Sequence, residues 1–252
     1  LADIDFSKGN WRNCLAAYEE ILKRDKKILA DSSPDWWSDQ STRPYLRALY
    51  GKAMTLWQRG NYIAAAADLE KILSLNPTDN QGVRFFIPML HLLAEDLELA
   101  QSAFHCYSEK YPQDYPEPAL VFGWGLCLSL QGDESGAREK YREGILRNHY
   151  IAPMLLEEPL PSRFIWLPND RADSSYASEF IDSYAVIWDR ENGALRILRE
   201  VWSDMAEHLK CLLSHREEML DFQDQRYEPN YKALWQKLVD ADEQLAGISF
   251  QK

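Results

Sequence analysis

Apolar residues recur at three- and four-residue spacing along most of the chain, and no stretch alternates with the two-residue period of a strand. The pattern predicts an all-α protein. Its punctuation is periodic too. A run over 49–57 (Leu49, Ala53, Leu56, Trp57) reaches Gly60-Asn61; a second run with Ala65, Leu69 and Ile72 follows and stops at Pro77. Glycine supplies a left-handed bend, the small residues at 53 and 65 let two helices approach closely, and proline cannot continue the second one. The frame recurs. Gly132-Asp133 is preceded by Trp124-Gly125 and Leu128 and followed by Ala137, Tyr141 and Ile145; Glu95-Asp96-Leu97 holds the turn position before Ala100, Phe104, Tyr107 and Pro112; Gly9-Asn10-Trp11 precedes Cys14, Tyr18 and Ile21.

Gly60 to Glu95 is 35 residues and Glu95 to Gly132 is 37, close to the period of about 34 of tetratricopeptide repeats (TPR). The expected architecture is therefore a TPR-like helical-hairpin solenoid over 1–155, followed by a C-terminal helical region. Gly9 to Gly60 spans 51 residues, which places an insertion at 26–42. The insertion carries Trp36-Trp37, either a binding surface or a loop folded back on the helices. A short helix is expected at 148–155. Pro159, Pro161 and Pro168 then break helical continuity, making 156–173 a linker or an ordered wrap. Helices resume over 174–188, 192–220 and 229–247; the middle one carries the stripe Leu195, Leu198, Trp202, Met205, Leu209 and Leu212. The chain opens at Leu1 inside a helical pattern, which suggests that sequence upstream of it has been removed.

Two stretches resemble uncharacterised bacterial TPR proteins, themselves similar to the C-terminal part of the vertebrate suppressor-of-tumorigenicity-seven family. One is Thr42-Arg43-Pro44-Tyr45-Leu46-Arg47-Ala48 with the run from Leu75-Asn76-Pro77 to Arg84. The other is Asn148-His149-Tyr150-Ile151-Ala152-Pro153-Met154-Leu155-Leu156, then Leu160-Pro161 and Gly193-Ala194-Leu195. The likeness covers about 42–200 and departs at His149, where the family pattern has proline. It implies a helical-repeat adaptor with no catalytic residues.

In TPR repeats, positions 2, 5, 6, 9, 12 and 13 of the first helix line a concave groove. With Pro77 as position 32, the second repeat contributes Arg47, Tyr50, Gly51, Met54, Trp57 and Gln58. The third contributes Gly82, Phe85, Phe86, Met89, Leu92 and Leu93, and the last Ala119, Phe122, Gly123, Leu126, Ser129 and Leu130. Arg47, Tyr50, Met54, Trp57, Phe85, Phe86, Met89, Leu93, Phe122 and Leu126 are the candidate partner-binding residues. Apolar side chains of this size contribute roughly 1.5–3 kcal/mol each when buried, so something must cover them. A protein or peptide partner, entering as a helix in a groove, is one candidate. The chain's own C-terminal helices are the other; the groove would then be sealed and assembly or homodimerisation would use the outer faces. A co-chaperone's carboxylate clamp is not expected, because Tyr50, Met54, Phe86, Ala119 and Gly123 hold its positions.

The formal charge is −12. Such a surface repels nucleic-acid phosphates and anionic membranes, and no apolar run approaches the roughly 18 residues of a membrane span. Cys14, Cys106, Cys127 and Cys211 show no metal-ribbon spacing and sit inside helical patterns, so buried, reduced thiols and a cytoplasmic location without a signal peptide are expected. Asp204, His208, Cys211 and His215 share one helix face, but the set spans about 16 Å and cannot close on one ion. His91 and His105 read as packed histidines. No HExxH, GxSxG, GxGxxG or P-loop occurs. Neither an enzyme nor a cofactor or metal is expected; an enzyme, with His208 and Cys211 or Asp204 sharing a metal as its most concrete form, is the remaining alternative.

Overall fold

The structure, a computed structural model, describes residues 8–25, 36–189, 192–227 and 229–247, with backbone alone for 189 and 192–194. Among these residues every regular element is helical and there is no strand. The chain divides into two compact units, 1–114 and 115–252, a division that falls inside the segment read from sequence as one repeat array.

In the first unit, α1 (Trp11–Arg24), α2 (Arg43–Gln58), α3 (Tyr62–Leu75), α4 (Ile87–Leu93) and α5 (Leu97–Lys110) pack each against the next. Between α2 and α3 the backbone reverses in three residues, with Gly60 at φ +73° and its N–H bonded to the Trp57 carbonyl. Small residues Ala53, Ala65 and Ala66 are fully buried at this crossing. Glu95 takes the same left-handed conformation, φ +61°, between α4 and α5, so the periodic turn persists where the glycine does not. Gly9 is also left-handed; the helical run expected before it lies outside the described residues.

α3 ends ahead of Pro77, and the chain then makes a tight link to α4. The buried Asp79 carboxylate accepts the N–H groups of Val83 (2.8 Å) and Arg84 (2.9 Å), opening a 3₁₀ turn at Val83–Phe85. Arg84 returns to Asp79 (2.9 Å) and also reaches Asp114 (2.8 Å), which accepts the Tyr107 hydroxyl (3.0 Å). Most of the insertion lies outside the described residues, but its end folds back. Trp36 is buried against Tyr45 with ring centroids 5.6 Å apart, its carbonyl accepts the Thr42 hydroxyl (2.7 Å), and Arg43 stacks over Trp37.

In the second unit, α6 (Pro118–Leu130) and α7 (Glu134–Arg147) form the tightest pair, turning at Gly132 (φ +82°) with Asp133 capping the Gly136 N–H (2.9 Å). Reciprocal notches hold them together. A methyl on Gly125 would sit 2.8 Å from the Tyr141 ring, and one on Gly144 would sit 2.9 Å from the Phe122 ring. Both rings are fully buried, so neither can retreat. Gly125→Val is expected to lower the stability of the chain by about 2–3 kcal/mol despite valine's better helix propensity; a urea midpoint equal to that of the parent would show that the pair has slack.

After α8 (Ile151–Leu156), a strap runs over 157–173, burying Ile165 and Ala172, with a 3₁₀ turn at Asp170–Ala172. It is an ordered wrap. The Tyr150 hydroxyl donates to the Ser162 carbonyl (2.7 Å), the Trp166 N–H to the Arg216 carbonyl (2.9 Å), and the Asn148 amide to the carbonyls of Arg171 (2.7 Å) and Asp173 (3.0 Å). Asn148 also accepts the N–H groups that start α8. Then come α9 (Ser174–Asp189), α10 (Asn192–Asp204), α11 (Ala206–Gln223) and α12 (Tyr231–Ala246). The helix expected over 192–220 is thus interrupted at Met205, where no proline or glycine marks the break. α10 packs on α6, α7 and α8, and α9 on α8, while α11 pairs with α12. Arg138 meets Glu200, and Arg196 meets Glu134, across α7 and α10.

The α11–α12 pair closes over a buried ion pair. Arg216 and Asp242 are both fully buried and joined by two bonds, 2.8 and 3.1 Å. His208 and His215 donate to the backbone carbonyls of Leu245 (2.6 Å) and Leu238 (2.9 Å), so they clamp α11 to α12. His149 is fully buried against Tyr150, and neither ring nitrogen has a hydrogen-bond partner. Burial, helped by the Arg216 charge, pushes its pKa down to about 3.

Candidate partner-binding site

The ten candidate residues fall into two groups. In the second unit, Phe122 and Leu126 are fully buried. Phe122 lies between Tyr141 (6.1 Å) and Phe180 of α9 (6.0 Å), and α10 packs along α6. α6 reads almost wholly apolar for this reason: its buried residues, Leu120, Val121, Phe122, Gly123, Gly125, Leu126 and Cys127, cover more than one face. In the first unit, Phe85, Met89 and Leu93 are buried as well. Phe85 packs on Tyr107 (5.9 Å) beneath the Arg84 guanidinium.

The remaining five stay accessible. Arg47 is exposed, and Tyr50, Met54, Trp57 and Phe86 are half-buried. Arg47, Tyr50, Met54 and Trp57 follow one another at three- or four-residue steps, so they share a stripe of α2. The adjoining face of the same helix, about 100° round, carries Leu46, Leu49, Ala53 and Leu56 and faces the core. Trp57 meets Phe86 with centroids 5.7 Å apart and planes at 59°, the tilted geometry that aromatic quadrupoles favour. Partial burial raises the Tyr50 phenol above its ordinary pKa. Gly51 is half-buried against α1: a methyl there would lie 2.3 Å from the Tyr18 ring.

The first unit has a concavity of about 320 Å³ to which α2 contributes nothing. It is lined by Glu70, Leu73 and Ser74 of α3, Arg84, Ile87, Pro88 and His91, and a face of α5 that includes Leu99, Cys106 and Lys110. His91, buried, faces Glu70 at 3.2 Å; His105 is exposed, unlike the packed residue expected. Cys14 and Cys127 are buried, and burial pushes the Cys127 thiol up to about 12, where it is a poor nucleophile. Cys106 is half-buried and Cys211 exposed, against the expectation of buried thiols: Cys211 sits beside, not on, the α11 face that buries Leu209, Leu212, Arg216 and Met219.

Among the described residues no three His, Cys, Asp or Glu side chains gather as a metal site would require, and no helix is long and apolar enough to cross a membrane. No protein-family model, curated protein or solved structure matches the chain.

Proposed function

We propose that this chain is a TPR-like adaptor whose first unit holds a protein or peptide partner on the α2 stripe and Phe86. The observation that carries this reading is the half-exposure of Tyr50, Met54 and Trp57 on one stripe of α2, with half-exposed Phe86 against Trp57, beside a core where residues of the same kind are covered. Such amphipathic and aromatic side chains are the usual anchors of an interface. The likeness of 42–200 to bacterial TPR proteins and the suppressor-of-tumorigenicity-seven family points the same way. So does the formal charge of −12, which disfavours nucleic acid and anionic lipid as alternatives.

The second unit supports the complementary reading of its own groove. Phe122 and Leu126 lie under α9 and α10, so on this proposal the C-terminal helices seal one half of the array while the first unit stays open to a partner.

The test is Phe86→Asp. Phe86 is half-buried, so the variant keeps its helical circular dichroism. A charge placed against the partner's apolar anchors removes roughly 1.5–3 kcal/mol of contact, a ten- to hundredfold loss of affinity. Proteins retained from lysate by the immobilised parent are expected to be lost from the variant. Retention of the same proteins by both would place the partner elsewhere.

A further inference from the structure

The second unit carries a surface of a different kind around the strap. Leu160 lies on it, 41% exposed, and forms a wall common to two clefts. One, about 510 Å³, is lined by Pro153, Met154, Glu157, Glu158, Leu160, Ser178, Ile181 and Asp182. The other, about 390 Å³, is lined by Pro159, Leu160 and Pro161 of the strap and by Trp202, Leu209, Lys210, Leu213 and Glu217. Apolar floors are therefore present on both sides of an exposed leucine: Met154 and Ile181 on one, Trp202, Leu209 and Leu213 on the other. The strap that builds the wall is held in place from below by the Tyr150–Ser162 and Trp166–Arg216 bonds, so the wall is preformed.

The charge around these floors is mostly negative, with the exposed carboxylates of Glu157, Glu158 and Asp182 on the first cleft and that of Glu217 beside Lys210 on the second. An anionic membrane or a nucleic acid meets a surplus of carboxylates here, and so does a second copy of this chain, itself at −12. The occupant that complements both the floors and the rim has apolar side chains flanked by lysine or arginine. We propose that the clefts on either side of Leu160 dock a basic amphipathic segment of a partner protein, its apolar side chains entering both clefts and its cations meeting Glu157, Glu158, Asp182 and Glu217. This surface is independent of the α2 stripe.

The probe is a fluorescein-labelled amphipathic helix of about 18 leucines and lysines, with a leucine/glutamate counterpart, titrated with the full chain and followed by anisotropy. The lysine peptide is expected to bind with a micromolar Kd and the glutamate peptide at least tenfold more weakly. Leu160→Ser, on an exposed side chain and so compatible with folding, is expected to weaken the lysine peptide about fivefold. The combined variant E157Q/E158Q/D182N/E217Q should weaken it further and flatten its dependence on salt, whereas Phe86→Asp should leave it unchanged. Equal binding of the two peptides, indifference to Leu160→Ser, no binding up to about 1 mM, or a loss caused by Phe86→Asp would each overturn the proposal.

Discussion

Arg216→Met is expected to destabilise the protein by about 3–5 kcal/mol. Arg216 and Asp242 bury completely and pair through two hydrogen bonds in parallel. Removing the guanidinium leaves the Asp242 carboxylate in the interior with no countercharge. It must then stay ionised in a low dielectric or take up a proton, and either outcome costs far more than the lost contact. The Arg216 carbonyl still accepts the Trp166 N–H, so the strap keeps one anchor and the damage is confined to the charge. Arg216→Met combined with Asp242→Leu should therefore recover most of the loss, because an apolar pair of similar volume needs no compensation. Urea denaturation of the parent, both single variants and the double variant gives the coupling directly. A double variant as unstable as Arg216→Met would show that the packing, and not the orphaned charge, sets the effect.

The second large effect is a pH dependence centred on His149. Its folded pKa of about 3 lies below the value of about 6.5 in an unfolded chain, because burial, and then the Arg216 charge, disfavour the imidazolium. As pH falls below 6.5 the unfolded state binds a proton that the folded state refuses. The contribution of His149 to stability is thus complete above pH 6.5, is lost at about 1.4 kcal/mol per pH unit down to pH 3, and is flat below that. Carboxylates with lowered pKa add their own losses only further into acid. One is Glu143, which burial alone would raise but Lys140 and Arg147 hold down; another is Asp173, held low by its bond from the Ser175 N–H. They are present in parent and variant alike. His149→Phe should therefore differ from the parent chiefly in slope: its urea midpoint changes little between pH 7 and 5, where that of the parent falls. Parallel curves for the two proteins would mean that His149 gains its proton without unfolding.

Much of the all-helical organisation was legible because turns and stops are local. Gly60, Gly132, Pro77 and Pro112 act through their own backbone, so periodicity and punctuation locate the pairs α2–α3 and α6–α7 directly. Glu95 was found only by its distance from Gly60, since glutamate carries no signal for a left-handed bend. The break at Met205 was not legible at all, because nothing in the residues around it opposes a helix; packing of α10 and α11 on different partners decides it. The candidate site was half legible for the same reason. Repeat numbering brings Tyr50, Met54 and Trp57 to one stripe of α2, but what covers Phe122 is Phe180, 58 positions further on. The Arg216–Asp242 pair joins two residues that, taken singly, read as ordinary charges on solvated helices.

The apolar character of α6 has a consequence for biosynthesis. This segment leaves the ribosome with no polar face to offer water; α7 covers one side of it at once, but the sides that α9 and α10 cover wait until Asp204, about seventy residues later. At about 5–20 residues per second those remaining apolar sides stay bare for several seconds. A pause in translation between α7 and α10 would lengthen that interval and raise the yield of aggregated chains without altering a single residue of the finished protein.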